Sequence, residues 1–197
     1  VAGRIRQVDI LRSVEIRQGT ANDIEAVAAL HTASWRTAYA GLMPDSYLNG
    51  PLLDERSRLW RARLGADPHP GGDTTSRLLI AEDGDAISGF VYLLLQDDGR
   101  ILLDNLHVSP ALKRSGIGRH LMHHGFEWAA AHHPGRAVYL EVLRDNTPAR
   151  SFYRRMGGRV TREFVEPFAA GFEVAVVEYT WDAPAMRSIP TPDPITS

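Results

Sequence analysis

The chain contains no cysteine. Disulfides, thiolate metal sites and cysteine nucleophiles are therefore excluded. Long apolar runs are also missing. The longest, such as 90–95, covers a few residues, far short of the ~20 that a membrane-spanning helix needs. Excess charge of one sign is absent too: 22 Lys and Arg face 24 Asp and Glu, for a formal net charge of -2. No global basic field exists to hold nucleic acid or an anionic membrane, so neither is expected as a partner. What the sequence does have is 197 residues with 44% hydrophobic content, enough to bury one sizeable core. Residues 1–13 carry no apolar h-region, and a cytoplasmic protein is the expectation.

The patterning divides the chain into a weakly patterned leader over 1–13, a body over 14–182, and a segment over 183–197 (APAMRSIPTPDPITS). That last segment holds four prolines and reads as a poorly ordered tail. In the body, 14–17 alternates as a strand, and Thr20 with Asp23 forms a capping-box start for a helix running to about Tyr39. Pro44 opens a second helical region, broken by Gly50-Pro51. Strands follow at 78–82 and 87–95, joined by the hairpin signal Asp83-Gly84-Asp85, and then at 100–108, which is apolar on both faces as a central strand should be. A helix over 116–132, a strand over 137–143, a helix over 146–156 and a final strand pair over 159–166 and 172–181 complete it. The order β-α-α-β-β-β-α-β-α-β-β describes an α/β protein: a mixed, mostly antiparallel central sheet flanked by helices.

The most informative stretch is 103–122, LDNLHVSPALKRSGIGRHLM. A buried strand ends at Val108, Ser109-Pro110 turns the chain, and Lys113-Arg114-Ser115-Gly116-Ile117-Gly118 leads straight into a helix. Glycines there let backbone N–H groups converge, the helix dipole adds positive potential, and Lys113, Arg114 and Arg119 add full charges. That construction suits a pyrophosphate. It is not a P-loop, because Gly118 is followed by Arg119-His120, and it is not a dinucleotide fingerprint, because 129–140 contains no Asp or Glu.

Lys113-x-x-Gly116-x-Gly118 after the strand Leu106-His107-Val108 resembles motif A of the Gcn5-related N-acetyltransferase (GNAT) superfamily, Q/R-x-x-G-x-G/A, with Lys113 in place of the usual Gln or Arg. A second motif, running from Asn146 through Ala149, Phe152 and Tyr153 to Gly157, is similar to that family's N-x-x-A-x-x-F-Y-x-x-x-G. The resemblance covers nearly the whole body. It implies the GNAT fold, acetyl-CoA as cosubstrate, no metal, and transfer of an acetyl group to an amine.

The same resemblance implies roles for individual residues. The backbone of Leu106 and Val108, flanking His107, should bond the pantetheine arm like an extra strand, and the amides from Arg114 to Arg119 should hold the pyrophosphate. Asn146 should reach the pantetheine while capping its helix, with Ala149 beside it. Tyr153 is the candidate acid for the departing CoA thiolate. A base is harder to find. One position used for it in the family carries Leu102 here, which cannot act. Asp104, grouped by period-two alternation with Leu102, Leu106 and Val108, is the candidate, with Glu141 as another acidic option and His107 facing the other way.

For the acceptor, the stretch His31 to Pro44 resembles a GNAT subgroup, H-x-x-S-W-x-x-A-Y-x-G-x-x-P. Trp35 and Tyr39, four apart on one helix face, form an aromatic wall, and Glu163, Glu166 and Phe168 border the same site. His120 and His124 stand at i, i+4, but without a carboxylate in the H-E-x-x-H form they do not argue for a metal. The expected acceptor is an amine-bearing small molecule. A protein or peptide N-acetyltransferase and a non-catalytic acyl-CoA-binding module are the alternatives. A homodimer is compatible with the family.

Overall fold

The computed structural model describes residues 14–65, 74–84, 86–168 and 170–193. The leader over 1–13, most of the 65–76 loop, Asp85 of the hairpin and residues 194–197 lie outside the described residues. Seven strands form one sheet: β1 (Glu15–Gln18), β2 (Ser76–Asp83), β3 (Ala86–Leu95), β4 (Ile101–Val108), β5 (Val138–Leu143), β6 (Arg159–Phe168) and β7 (Phe172–Trp181). Their spatial order is β1-β2-β3-β4-β5-β7-β6, antiparallel throughout except for the β4–β5 pair. The helices are α1 (Ile24–Ala38), α2 (Asp45–Leu48), α3 (Leu52–Leu64), α4 (Ile117–His132), α5 (Thr147–Arg155) and α6 (Ala183–Arg187). The mixed, mostly antiparallel sheet with flanking helices is as the sequence order implied.

Alternation along β3 explains the two layers. Val91 and Leu93 enter one core with Ile117, Leu121, Met122 and Phe126 of α4. Phe90 and Tyr92 enter the other with Val27 and Ala28 of α1 and Trp60 of α3. Both faces of this strand are dry, which is why 90–95 reads as an unbroken apolar run. At the head of α1 the capping box forms as expected: the Thr20 N–H donates to Asp23 Oδ2 at 2.8 Å. Asp23 is also paired to Arg17 at 2.7 Å, which holds its carboxyl below the usual range.

The parallel β4–β5 ladder contains only Ile101↔Val138 and Leu102↔Tyr139. Beyond it the two strands diverge. β4 also carries a bulge: Tyr92 pairs with Asn105 and Leu93 with Leu103, leaving Asp104 as the extra residue. A bulge bends its strand and interrupts the alternation of side chains. The bend and the short ladder together leave the 103–108 edge of β4 turned away from β5.

Gly89 on β3 sets how closely α4 approaches. A Cβ there would stand 2.9 Å from the His107 carbonyl oxygen and 3.0 Å from side-chain atoms of Ile117 and Leu121. The backbone contact cannot yield, so Gly89→Ala is expected to cost about 1–3 kcal/mol through overpacking. The check is a lowered midpoint in chemical denaturation.

The structure departs from the sequence reading at the C-terminal segment. Residues 183–187 form α6, whose start is capped by Asp182 Oδ1 accepting from the Ala185 N–H at 2.9 Å. Met186 is buried in the main core and Ile189 packs against it. Proline content misled here. Pro184 sits in the first turn of α6, where its missing N–H costs nothing. Among the described residues, no helix is long and apolar enough to cross a membrane.

Candidate active site

After the pairs Ile101↔Val138 and Leu102↔Tyr139, β4 and β5 part, and three groups of residues lie around the parting. At one end is the glycine loop. Arg114 has φ +70° and Gly116, the N-cap of α4, has φ +92°. Two left-handed residues so close together curl the backbone around one point. Residues 113–116 are exposed. Ile117 and Gly118 occupy the first two positions of α4, where amide hydrogens have no intrahelical acceptor.

Not every amide from 114 to 119 is available. The Ser115 N–H donates to the Leu112 carbonyl at 3.3 Å and its Oγ to the same oxygen at 2.7 Å, while the Arg119 N–H donates to Gly116 O at 2.9 Å. The Arg119 guanidinium is also drawn off, donating to Pro190 O at 3.2 Å. The anion-binding potential therefore concentrates on the amides of Arg114, Gly116, Ile117 and Gly118, with Lys113 alongside. Gly118 is not sterically required, because a Cβ there would meet Phe152 and Val108 at 3.7 Å, an ordinary contact.

Along the parting, Leu106 and Val108 pack against the main core beneath α4. On the far side Asn146 caps α5, its Oδ1 accepting from the Ala149 N–H at 3.3 Å. Asn146 is buried, and this cap leaves its side-chain amino group as a donor. Ala149, Phe152 and Tyr153 pack on the core. The Tyr153 ring lies 5.4 Å from Phe152 and 5.9 Å from Tyr179. Burial pushes the Tyr153 phenol well above its ordinary pKa of 10.0, and Tyr39 adds to the effect. Tyr153 is thus held protonated, as a hydrogen-bond or proton donor must be.

The third group is aromatic. Trp35 stands 4.8 Å from Tyr39, 6.4 Å from Tyr47 and 6.3 Å from Phe168, ring centre to ring centre. Tyr47 and Phe168 are 5.3 Å apart, and Phe168 stacks on Phe172 at 4.9 Å. Trp35 and Tyr39 are in edge contact, and Phe168 joins them from the β6–β7 tip. Tyr47, Phe172 and Arg56 were not legible as wall residues. By sequence, Tyr47 and Arg56 fall in the second helical region and Phe172 starts a strand, with no site role for any of them.

The acidic candidates are placed differently from the expectation. Asp104 does not share a face with Leu106 and Val108, because the bulge breaks the alternation. Its carboxylate is ion-paired to Arg63 of α3 at 2.6 Å and accepts from the Asn105 side chain. That is a structural pairing. Glu141 lies opposite Glu178 across the β5–β7 ladder and 3.9 Å from Arg162. Burial and the neighbouring Glu166 raise its pKa.

His107 points toward α1, as the alternation implied. Its Nδ1 is 2.9 Å from Ser34 Oγ and its ring lies 4.6 Å from that of His31. His31 Nδ1 in turn accepts from Trp60 Nε1 at 3.2 Å. Burial lowers the pKa of both rings, His107 to about 3, with Arg56 contributing further. Both imidazoles are therefore neutral in the fold and protonatable when unfolded. The unfolded chain takes up protons as the pH falls through 6.5, so stability is complete above that value and is lost progressively toward pH 3. In urea titrations between pH 8 and 4, His107→Gln is expected to flatten this acid loss.

Of the α4 histidines, His120 Nε2 lies 2.7 Å from Asp193 O and His124 Nδ1 lies 2.9 Å from His120 O, while His123 Nδ1 faces Glu127 at 3.6 Å.

Comparison with known proteins agrees with this geometry. Residues 28–158 match the model of the Acetyltransferase (GNAT) family. Streptothricin acetyltransferase of Streptomyces lavendulae is 36% identical over 96 residues, 47% of this chain and 50% of that protein, so the similarity spans half of that relative. The uncharacterized N-acetyltransferase YuaI of Bacillus subtilis is 24% identical over 185 residues, covering 89% of this chain and 98% of YuaI. Among solved structures, the PaiA N-acetyltransferase of Thermoplasma acidophilum, in complex with coenzyme A, superposes with a TM-score of 0.64 at 20% identity, covering 86% of this chain and 99% of that one. With its glycine loop, its parted β4 and β5 and a family match across most of the body, the chain belongs to the GNAT family of acetyl-CoA-dependent acetyltransferases.

Proposed function

We propose that this enzyme moves the acetyl group of acetyl-CoA directly to the amine of a small molecule. The observation that carries the reading is the glycine loop at the head of α4, with left-handed Arg114 and Gly116, beside the parting of β4 and β5, together with Tyr153 on α5, the helix that follows β5, its phenol kept protonated by burial. Acetyl-CoA supplies the acetyl group as a thioester. Arg114, Gly116, Ile117 and Gly118 bind its pyrophosphate through backbone N–H groups, with Lys113 adding charge. Leu106 and Val108 offer the free backbone edge of β4 to the pantetheine arm, and Asn146 supplies a donor across the parting.

Transfer forms one N–C bond and breaks one C–S bond. Tyr153 Oη gives its proton to the departing sulfur, and the proton lost by the amine leaves to solvent. Tyr153 is then restored by proton exchange with water. With no cysteine in the chain, no cysteine-bound acetyl group can form, which favours direct transfer with both substrates bound together. The aromatic wall supports a small acceptor over an extended peptide, because rings from α1, α2 and the β6–β7 tip already converge on it. The name of the streptothricin relative points the same way.

The test is a screen of amine acceptors by acetyl-CoA-dependent CoA release, with products weighed by mass spectrometry. Acetylated small amines are expected. Acetylation confined to protein or peptide termini would overturn the small-molecule reading.

A further inference from the structure

Arg56 is the unexplained group in the aromatic wall. Its guanidinium carbon lies 4.0 Å over the Trp35 ring, and its Nη2 donates to the Tyr47 hydroxyl at 3.0 Å. Its Nε is buried and has no hydrogen-bond partner among the described residues. Nor does any carboxylate of those residues come within ion-pair distance of it. Glu55 accepts from the Tyr47 hydroxyl, at 3.2 Å, rather than from the guanidinium.

The contrast with Arg63 is informative, because both lie on the same face of α3, seven residues apart. Arg63 also rests on aromatic rings, 5.2 Å from Trp60 and 4.7 Å from Tyr92, but it has Asp104 at 2.6 Å. A partly desolvated guanidinium ordinarily finds an anion, since leaving a buried charge uncompensated is costly. Burial lowers the pKa of Arg56, and its charge is felt at Tyr39, His31 and His107. Its contacts with Trp35 and Tyr47 place it in the aromatic wall itself.

We propose that Arg56 is a carboxylate subsite and that the acceptor is an amino-acid-like small molecule carrying both the reacting amine and a carboxylate. The inference rests on the acetyl-transfer reading and narrows it. A carboxylate is the anion whose two oxygens match the guanidinium fork, and Arg56 Nε is the buried donor that no described residue satisfies. The Trp35 ring behind the guanidinium fixes its plane, and the Tyr47 hydroxyl holds its other branch. An acceptor whose only charges are positive gains nothing from this arginine and is repelled by it.

The experiment compares matched acceptors: α-amino acids, ω-amino acids, the carboxamides of both, and diamines of similar length. For the wild-type enzyme, kcat/KM for the acids is expected to exceed that of their carboxamides by about thirtyfold, the value of a hydrogen-bonded charged pair. Arg56→Met is expected to abolish the difference through KM for the acid, leaving KM for acetyl-CoA unchanged, and Arg56→Lys to restore part of it. Carboxamides or diamines acetylated as well as the acids would overturn the subsite while leaving the acetyltransferase reading intact. Acetyl-CoA bound with no acceptor acetylated in any arm, including other small amines, would overturn both. The wild-type comparison decides the matter even if Arg56→Met folds poorly.

Discussion

Tyr153→Phe is expected to lower kcat by about a hundredfold or more, within the range lost with a positioned general acid. The KM for acetyl-CoA and the thermal midpoint should hardly change. The ring provides the packing against Phe152, Tyr179 and Trp181, and phenylalanine keeps the ring. Only the hydroxyl disappears, and with it the proton destined for sulfur. The raised pKa adds a pH signature: the acid is present across the whole working range, so the wild-type rate should show no loss on the basic side as the pH approaches 10. An unchanged kcat in Tyr153→Phe would remove the tyrosine from the chemistry. A basic-side loss near neutral pH would assign the proton to another group.

Gly116→Asp is expected to weaken acetyl-CoA binding by about a hundredfold. Two effects combine and can be separated. Gly116 has φ +92°, so any side chain there is strained by about 1–2 kcal/mol. Asp and Asn tolerate this conformation almost equally, and both reach the space in front of the open amides. Only Asp adds a negative charge, and like charges about 4 Å apart at a protein surface repel by roughly 4 kcal/mol before salt screening. Calorimetric titration with acetyl-CoA should therefore rank wild type above Gly116→Asn and both far above Gly116→Asp. Equal binding by the Asp and Asn variants would mean that the phosphates lie elsewhere.

Much of this molecule was legible from residue pattern, for physical reasons. β3 and β4 are covered on both faces, so their apolar runs announce a central position. Gly116 and Asn146 stand at strand-to-helix junctions, where spacing along the chain translates directly into position, and Tyr153 follows within the helix that Asn146 caps. The misreadings share a different cause. Asp104 was grouped with Leu106 and Val108 by strict alternation, and a one-residue bulge sends it to Arg63. No local signal announces that bulge, because it depends on how β3 and β4 are matched. The C-terminal segment was read from its prolines, while Met186 and the Asp182 cap decide its structure. Arg56 became visible only when α1, α2 and α3 were brought together, because its meaning lies in an absent ion pair and not in its own identity.

The pairing of His31 with His107 also depends on tertiary structure. Each read as a helix or strand residue with no partner. Together with Ser34, Trp60 and Phe90 they join α1, α3 and the sheet just behind the aromatic wall. Their neutrality matters beyond stability, because two imidazolium charges here would add to the field of Arg56 and repel a cationic amine.

The central claim is direct transfer of the acetyl group within a single complex of enzyme, acetyl-CoA and amine. Initial-rate kinetics, with both substrates varied and the acetylated amine quantified by mass spectrometry, test it most directly. Intersecting double-reciprocal lines, with one acetylated amine formed per CoA released, are the expected result. Parallel lines, or CoA released without acetylated amine, would contradict it.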